Sequence, residues 1–235
     1  MGLKAVLTSA VLAAAVMGTA MGAAFDAGGA VTGRRLPLHG TTGRATQVIT
    51  VVAPSPRSTV ATLQAWRKVP GGGWVKRGRA MRAHVGSAGI TSAPSESTSA
   101  TPAGSFTLTL AFGYRADPGT RMRYARTRPS DWWISEPGPR YNTRARCSRN
   151  CGFTLGAPNE HLYYVRPQYA YAVVIDYNTR NAPGGVRQGA GSAFFLHVTD
   201  GGPTAGCVAI ARTRLVSLLR WLRPAAHPRI LIGTD

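Results

Sequence analysis

The chain has 235 residues, a hydrophobic fraction of 44% and a formal net charge of +19. This length suits one domain with a proper core, and the hydrophobic fraction is ordinary for a globular protein. No stretch beyond the N-terminal segment approaches the length of a transmembrane helix, which excludes a protein with several membrane-spanning helices.

The N-terminal segment, residues 1–24, has the pattern of a secretory signal peptide. Lys4 supplies a positive start, a mostly apolar run covers residues 5–17, and small residues at 20–24 offer a cleavage site. The apolar run is short for a membrane crossing, so an uncleaved membrane anchor is the less favoured alternative. We therefore expect an exported protein that works in the cell wall or another extracytoplasmic space.

The positive charge comes almost entirely from arginine, because lysine occurs only at positions 4, 68 and 76. Such a charge is typical of nucleic-acid-binding proteins, but export argues against that partner and no aromatic-basic recognition motif is visible. We expect instead an attraction to an anionic cell-wall polymer or membrane surface, and no nucleic-acid partner. The alternative is that an Ala-, Gly- and Arg-rich composition reflects GC-rich codon usage.

Residues 25–45 are rich in glycine and threonine and are predicted to form a flexible lead-in to one domain at residues 46–235. Apolar or alternating runs then predict strands at residues 47–52, 59–66, 74–76, 81–85, 106–112, 169–177, 193–198, 207–211 and 229–232.

One helix is predicted, with Thr213 as its N-cap and Pro224 beyond its end. Leucines at spacing i, i+3, i+4 and i+7 give it one apolar face: Leu215, Leu218, Leu219 and Leu222. The fold class that follows is mainly β, a β-sandwich or partial barrel with one C-terminal helix packed on it.

Residues 113–168 show no regular periodicity and are predicted to form a long irregular insertion, ordered rather than disordered. The insertion contains Cys147 and Cys151 in the segment CSRNC. In an exported protein this pair is expected to form a disulfide that closes a small loop. A metal site is the less favoured alternative, because a tetrahedral site needs two further ligands and no matching cluster is nearby.

The remaining cysteine, Cys207, follows His197 across the glycine-rich loop 199–206. A thiol and an imidazole that meet across this loop are the minimal machinery for acyl transfer, because the imidazole takes the thiol proton and the thiolate attacks a carbonyl. Such a thiolate is expected to have a low pKa that titrates with the histidine. The small Gly206 would let a carbonyl approach backbone N–H groups that form an oxyanion hole.

These motifs resemble the L,D-transpeptidase catalytic domain, also called the YkuD-like family, over residues 46–235. In the family motif, a histidine is followed by a glycine-containing loop and then by Ser/Thr-His-Gly-Cys and an aliphatic residue. This chain has LH at 196–197 and TAGCV at 204–208. The family's Thr-Pro-x-Gly-x-Phe segment is similar to TPAGSF at 101–106. Further segments resemble an exported subgroup, at residues 131–134, 141–142, 160–162 and 174–178.

The resemblance implies a YkuD-like sandwich or partial barrel that acts on peptidoglycan stem peptides as a monomer, with no cofactor and no metal. Cys207 would attack the amide between the third stem residue and its terminal D-alanine, and a neighbouring stem amine would resolve the thioester into a cross-link between third residues. His197, oriented by a backbone carbonyl, would be general base and then acid. Thr204 would shape the site, and the N–H groups of Gly206 and Cys207 would be oxyanion donors.

Two positions depart from the family pattern, because Ala205 replaces its common histidine and Ala209 its common arginine or asparagine. We expect these losses to affect substrate orientation more than the chemistry. Two alternatives stay open: an L,D-carboxypeptidase that hydrolyses the same bond, and a non-catalytic cell-wall-binding module in which Cys207 is a buried, inert residue.

Several other side chains are candidates for the site. Trp132, Tyr141 and His161 are candidate substrate contacts, although such a tryptophan more often belongs to the core and the histidine could equally lie on the surface. Asp200 could be a third triad member beside the histidine, but an aspartate of a Thr-Asp-Gly-Gly turn is favoured. Asp176 ends a predicted buried strand and is expected to pair with an arginine.

Overall fold

The computed structural model describes residues 33–235. The predicted signal segment, residues 1–24, and the first part of the lead-in lie outside the described residues. Among residues 33–235, no helix combines the length and the apolar character needed to cross a membrane.

The described chain is mainly β with one α-helix, as the sequence predicts. Its strands are β1 Gln47–Ala53, β2 Val60–Lys68, β3 Trp74–His84, β4 Ile90–Thr91, β5 Thr101–Pro102, β6 Gly104–Gly113, β7 Tyr124–Arg126, β8 Asp131–Ile134, β9 Thr143–Arg146, β10 Glu160–His161, β11 Ala172–Ile175, β12 Phe195–Val198, β13 Val208–Ile210 and β14 Arg229–Thr234. The helix is α1 Arg212–Trp221, and two short 3-10 helices cover Gln168–Ala170 and Pro224–Ala226.

The main sheet has nine strands in the order β11-β12-β13-β3-β2-β1-β14-β6-β7. Because β11 also pairs with β6, the sheet curls back on itself. Closure is weakest between β13 and β3, which share the single residue pair Ala209 and His84. The sheet is therefore a partial barrel, and the predicted fold class is confirmed.

Alternation along the strands separates an interior face from an outer face. On β12, Leu196 and Val198 join the interior cluster, whereas Phe195 packs in a second cluster on the outer face. The interior is filled by aliphatic side chains from most strands of the barrel, such as Ile49, Leu63, Leu108, Ile175, Val208 and Ile230. This partition places the His197 side chain, two residues after Phe195, on the outer face.

Helix α1 closes the interior with its apolar face. All four predicted leucines are fully buried in the interior cluster. The N-cap prediction was wrong: the cap is Ala211, which makes no side-chain hydrogen bond, and Thr213 lies inside the first turn. The helix starts directly after β13, and the non-helical backbone of residue 211 leads into its first turn without a polar cap. The helix ends at Trp221, before Pro224, as predicted.

Three of the predicted strands differ clearly from the observed ones. Residues 74–76 and 81–85 were predicted as separate strands, but they form the single strand β3 along β2. A register shift in this pairing lies near Gly78, whose positive φ of 66° breaks the local pattern. The predicted strand 169–177 is shortened to β11, because the 3-10 helix Gln168–Ala170 takes its first residues.

The insertion, predicted to be irregular, contains a second sheet with the order β10-β8-β9. Its strands are two to four residues long, which is too short for a periodicity to show in the sequence. Cys147 and Cys151 form the predicted disulfide beside this sheet. Trp133 and Leu162 from the insertion pack in the outer-face cluster, so the insertion covers one side of the barrel.

The described part of the predicted lead-in is held against the domain, which corrects the expectation of a flexible segment. The backbones of Arg34 and Trp74 exchange two hydrogen bonds of 2.8 Å. Leu36 and Leu38 pack on an apolar cluster that includes Trp66. Burial of these side chains stabilises the segment in this position, although its glycine and threonine content predicts flexibility.

Candidate active site

Cys207 and His197 lie on the outer face of two adjacent parallel strands. The β12–β13 register pairs Leu196 with Val208 and His197 with Ala209, which places Cys207 opposite Phe195. The histidine is therefore two residues farther along the strand direction than the cysteine. The parallel ladder brings the two predicted catalytic side chains to one face.

The Cys207 thiol is buried, with 7% of the residue exposed. Its Sγ accepts a hydrogen bond from the Phe195 N–H and donates one to the Ala193 carbonyl, both at 3.3 Å. Burial raises the pKa of the Cys207 thiol well above its ordinary value, and the charge of Glu160 raises it further. The prediction of a low-pKa thiolate was therefore wrong for this state, in which the sulfur is a neutral thiol.

His197 is buried, and its Nδ1 lies 2.8 Å from the Val198 carbonyl oxygen. That carbonyl can only accept, so Nδ1 carries the proton and Nε2 keeps a free lone pair. Burial lowers the pKa of His197, which makes the imidazole neutral at physiological pH. The orientation by a backbone carbonyl is the one that the resemblance implies for the general base.

Within the described chain, His197 and Cys207 share no hydrogen bond, because both polar ends of the thiol are taken by backbone groups of residues 193 and 195. Proton transfer between them needs the S–H to leave the Ala193 carbonyl. Rotation of the S–H about the Cβ–Sγ bond is the smallest motion that releases it from that carbonyl.

The loop before Cys207 is organised by Thr204. Its hydroxyl donates to the Cys207 carbonyl at 2.7 Å and accepts from the Gly206 N–H at 3.1 Å. Thr204 thus holds the backbone of the cysteine loop, and the Gly206 N–H is occupied and is not a free oxyanion donor here. Thr101 adds a second hydroxyl contact to the Cys207 carbonyl, at 3.3 Å.

A glycine is required at position 206. Its φ is 134°, and a Cβ there would lie 2.7 Å from the Phe194 ring and 3.1 Å from the Ala100 carbonyl oxygen. Both the backbone conformation and the space exclude a larger residue. The segment at residues 100–101 therefore packs directly beneath the cysteine loop.

A carboxyl group lies beside the thiol on the outer face. Tyr169 packs in the same cluster as Cys207, its ring edge faces His197 at a centroid distance of 5.6 Å, and its hydroxyl donates to the Glu160 carboxylate. Burial raises the pKa of Glu160 to about 7, whereas the hydrogen bond from the tyrosine lowers it. The thiol, the imidazole, the phenol and the carboxyl thus form one cluster.

The three candidate substrate contacts are not part of this cluster. Trp132 lies on the face of β8 opposite to Trp133, stacks on His161 at 3.9 Å, and is buried. The His161 Nε2 contacts the Pro129 carbonyl. Tyr141 is buried, and its hydroxyl donates to the exposed carboxylate of Glu96. Structural contacts, within the insertion for Trp132 and His161 and with Glu96 outside it for Tyr141, account for all three residues.

The two aspartates are engaged by neutral donors. Asp200 accepts from the Gly202 N–H at 3.2 Å and from the Gln168 amide at 2.8 Å, which makes it the turn aspartate that the sequence favours. Asp176 accepts from Thr107, Thr179 and Asn181. The expected arginine partner of Asp176 was therefore wrong, because three neutral donors surround its carboxylate.

Sequence reasoning missed three residues that build the site: Glu160, Tyr169 and Asn142. The Asn142 Oδ1 accepts from the Trp133 Nε1–H at 2.8 Å and from the Ala193 N–H at 3.1 Å, and so fixes the residue whose carbonyl receives the thiol. One signal was present in the sequence: Glu160 is one of only nine acidic residues in a strongly basic chain. A second signal was the position of Asn142 and Glu160 in the segments 141–142 and 160–162, which resemble the exported subgroup, whereas no local pattern points to Tyr169.

Comparisons with known proteins add no relative to this picture. No protein-family model matches the chain, and no curated protein matches it. The fold and the site define a mainly β protein whose buried thiol and neutral imidazole share one face of a partial barrel. Its function is inferred from this geometry together with the sequence motifs.

Proposed function

We propose that the chain is an exported peptidoglycan L,D-transpeptidase that cross-links the third residues of stem peptides through an acyl-enzyme on Cys207. The observation that carries the proposal is the placement of Cys207 and His197 on one face of adjacent parallel strands, with His197 Nδ1 tied to the Val198 carbonyl. This placement leaves Nε2 as the base, as acyl transfer by a thiol requires.

The chemistry balances with these two side chains alone. His197 Nε2 takes the Cys207 proton as the sulfur attacks the stem carbonyl, and the carbon–sulfur bond replaces the amide bond when the imidazolium protonates the departing D-alanine amine. The stem amine of the acceptor then loses a proton to Nε2 and attacks the thioester. The carbon–sulfur bond breaks, the new amide forms, and the thiolate regains the proton.

Because the resting thiol is neutral, His197 would act as a general base that removes the thiol proton during attack. It would not be the cation of a preformed thiolate–imidazolium ion pair. Deprotonation would follow a turn of the thiol away from the Ala193 carbonyl when a stem peptide enters. The Cys207 N–H is the remaining oxyanion donor of the predicted pair, because Thr204 occupies the Gly206 N–H.

A non-catalytic cell-wall-binding module is the second candidate function. The observation that favours it is the burial of Cys207, whose sulfur is hydrogen-bonded on both sides to the backbone. A buried thiol with a raised pKa is the usual state of an inert structural cysteine. The two functions differ in one measurable product, the thioester.

The test is the intact mass of the purified protein after mixing with a tetrapeptide-stem muropeptide, beside Cys207→Ala and His197→Gln. We expect an adduct of the stem minus D-alanine in the native protein, none in Cys207→Ala, and a large loss of rate in His197→Gln. Cross-linked dimers among the products support the transpeptidase, and free D-alanine with trimmed monomers supports an L,D-carboxypeptidase. Absence of both the adduct and D-alanine, with folding verified, would favour the binding module.

A further inference from the structure

Two open clefts lie on the surface of the described chain, one of about 360 Å³ and one of about 640 Å³. This larger cleft, called the arginine cleft below, is lined by β6, β9, the end of β11 and the loop 179–181. Its floor is apolar, formed by Leu110, Val174 and Trp133. Five of its lining residues are arginines: Arg123, Arg140, Arg144, Arg146 and Arg180.

The charge of the arginine cleft is only partly neutralised. Arg144 and Arg146 share the buried carboxylate of Asp131, at 3.0 and 2.8 Å. Arg123 and Arg180 are exposed and form no ion pair within residues 33–235. Asp176 is the acidic residue of the lining, and its oxygens accept from Thr107, Thr179 and Asn181, as described above. The cleft therefore presents a net positive surface.

The arginine cleft also holds unused hydrogen-bond donors. The Nε of Arg144 is buried and, in the described chain, has no hydrogen-bond partner. Thr109 adds a hydroxyl group to the lining, whereas the Thr143 hydroxyl already donates to the Arg140 carbonyl. A guanidinium is weakly hydrated and donates in a planar fork, which suits phosphate oxygens. Guanidinium groups beside neutral hydrogen-bond donors are the features of a site that binds phosphate groups.

We propose that the arginine cleft binds a linear phosphodiester polymer that carries no bases. The polymeric form follows from the five arginines that line one open cleft of about 640 Å³, a volume larger than a single phosphate group fills. Nucleic acid fits less well, because single strands bind by stacking bases on exposed aromatic rings. The aromatic ring of the cleft is Trp133, which is 4% exposed and whose Nε1–H is held by Asn142.

The cleft shares Asn142 and Trp133 with the surroundings of the thiol, but none of its arginines forms a hydrogen bond with Cys207 or His197. Its role would be to hold the protein on an anionic polymer while the thiol face stays open. Polymer binding and acyl transfer can therefore fail independently, and Cys207→Ala is expected to bind the polymer as the native protein does.

The experiment measures binding of a fluorescent poly(glycerol phosphate) oligomer by anisotropy. The cleft variant is Arg123→Gln with Arg180→Gln, and the control is Arg79→Gln with Arg82→Gln, two exposed arginines of β3 outside the cleft. Both variants lose the same charge. We expect the cleft variant to bind about tenfold more weakly and the control within about twofold of the native protein.

Three results would overturn the proposal. Equal weakening in both double variants would mean that net charge alone attracts the polymer. Absence of binding at low salt would mean that the cleft is not a polymer site. Tighter binding of poly-L-glutamate or of a single-stranded oligonucleotide with the same number of charges would assign the cleft to a different anion. Circular dichroism of each variant verifies that its fold is intact.

Discussion

The Tyr169 hydroxyl donates a hydrogen bond to the Glu160 carboxylate, and this pair lies beside the thiol of Cys207. The carboxyl is brought there by the insertion, through β10, whereas the tyrosine comes from the 3-10 helix before β11. Burial raises the pKa of Glu160 to about 7, so its charge changes near physiological pH. The protonation state of Glu160 therefore acts on the electrostatics of the thiol.

Thiol reactivity should increase when the charge of Glu160 is removed. The Glu160 carboxylate raises the pKa of Cys207, so Glu160→Gln lowers that pKa and increases the thiolate fraction. We expect alkylation of Cys207 by iodoacetamide at pH 8 to be about threefold faster than in the native protein. The control is Glu136→Gln, a half-buried carboxylate of the same insertion that does not act on the thiol, which should leave the rate unchanged. A slower rate in Glu160→Gln would contradict the assigned electrostatics.

Stability should depend on pH through Glu160. Its pKa rises from 4.5 to about 7 on folding, so between these values the folded state holds a proton that the unfolded state releases. The free energy of unfolding therefore falls as pH rises through this window, by up to about 3 kcal/mol. Urea unfolding at pH 4 and pH 8 measures this term as the difference between the native protein and Glu160→Gln.

The sign of this pH effect has its own control. Thr154 and Asn159 hold the pKa of Glu136 below its ordinary value, so the contribution of Glu136 to stability is present at high pH and lost as pH falls. The difference between the native protein and Glu136→Gln should therefore change with pH in the opposite direction to that of Glu160→Gln. The same direction in both variants would refute the burial of the Glu160 charge.

Tyr169→Phe should destabilise the protein more at pH 8 than at pH 5. The lost hydroxyl leaves the Glu160 carboxylate without a donor that lowers its pKa, so the cost is larger when the carboxyl is ionised. We expect a loss of about 1–3 kcal/mol at pH 8, measured by urea unfolding. Tyr164→Phe is the control, because Tyr164 is exposed at 56% and should cost little at either pH. Equal losses at both pH values would mean that only packing changed.

Gly206→Ala should cost far more stability than Gly201→Ala. Both glycines have positive φ, 134° and 108°, so both variants carry backbone strain. An added Cβ at residue 206 meets the Phe194 ring at 2.7 Å, whereas nothing lies within 4 Å of one at residue 201. We expect about 1 kcal/mol for Gly201→Ala and about 1–3 kcal/mol more for Gly206→Ala, by thermal or urea unfolding. Similar losses would mean that the cysteine loop is looser than described.

Much of the barrel could be predicted from the sequence because its strands carry their own periodicity. The run 106–112 alternates apolar and polar residues and forms most of β6, and the leucines of α1 share one face. Alternation of apolar and polar residues shows which face of a strand is apolar, but it does not show which other strand pairs with it. The bulge near Gly78 and the two-to-four-residue strands of the insertion have too little pattern to be seen locally.

The sequence by itself determined that a thiol and an imidazole lie close together on either side of one glycine loop, since ten residues and two apolar runs restrict how far apart they can be. Only the tertiary structure decided the chemical state of the thiol, because burial and the charge of Glu160 act on its pKa through space. The same holds for the arginine cleft, whose cations come from four separate segments. Charges act through space on residues that are far apart in the sequence, whereas strand periodicity is visible within one short segment.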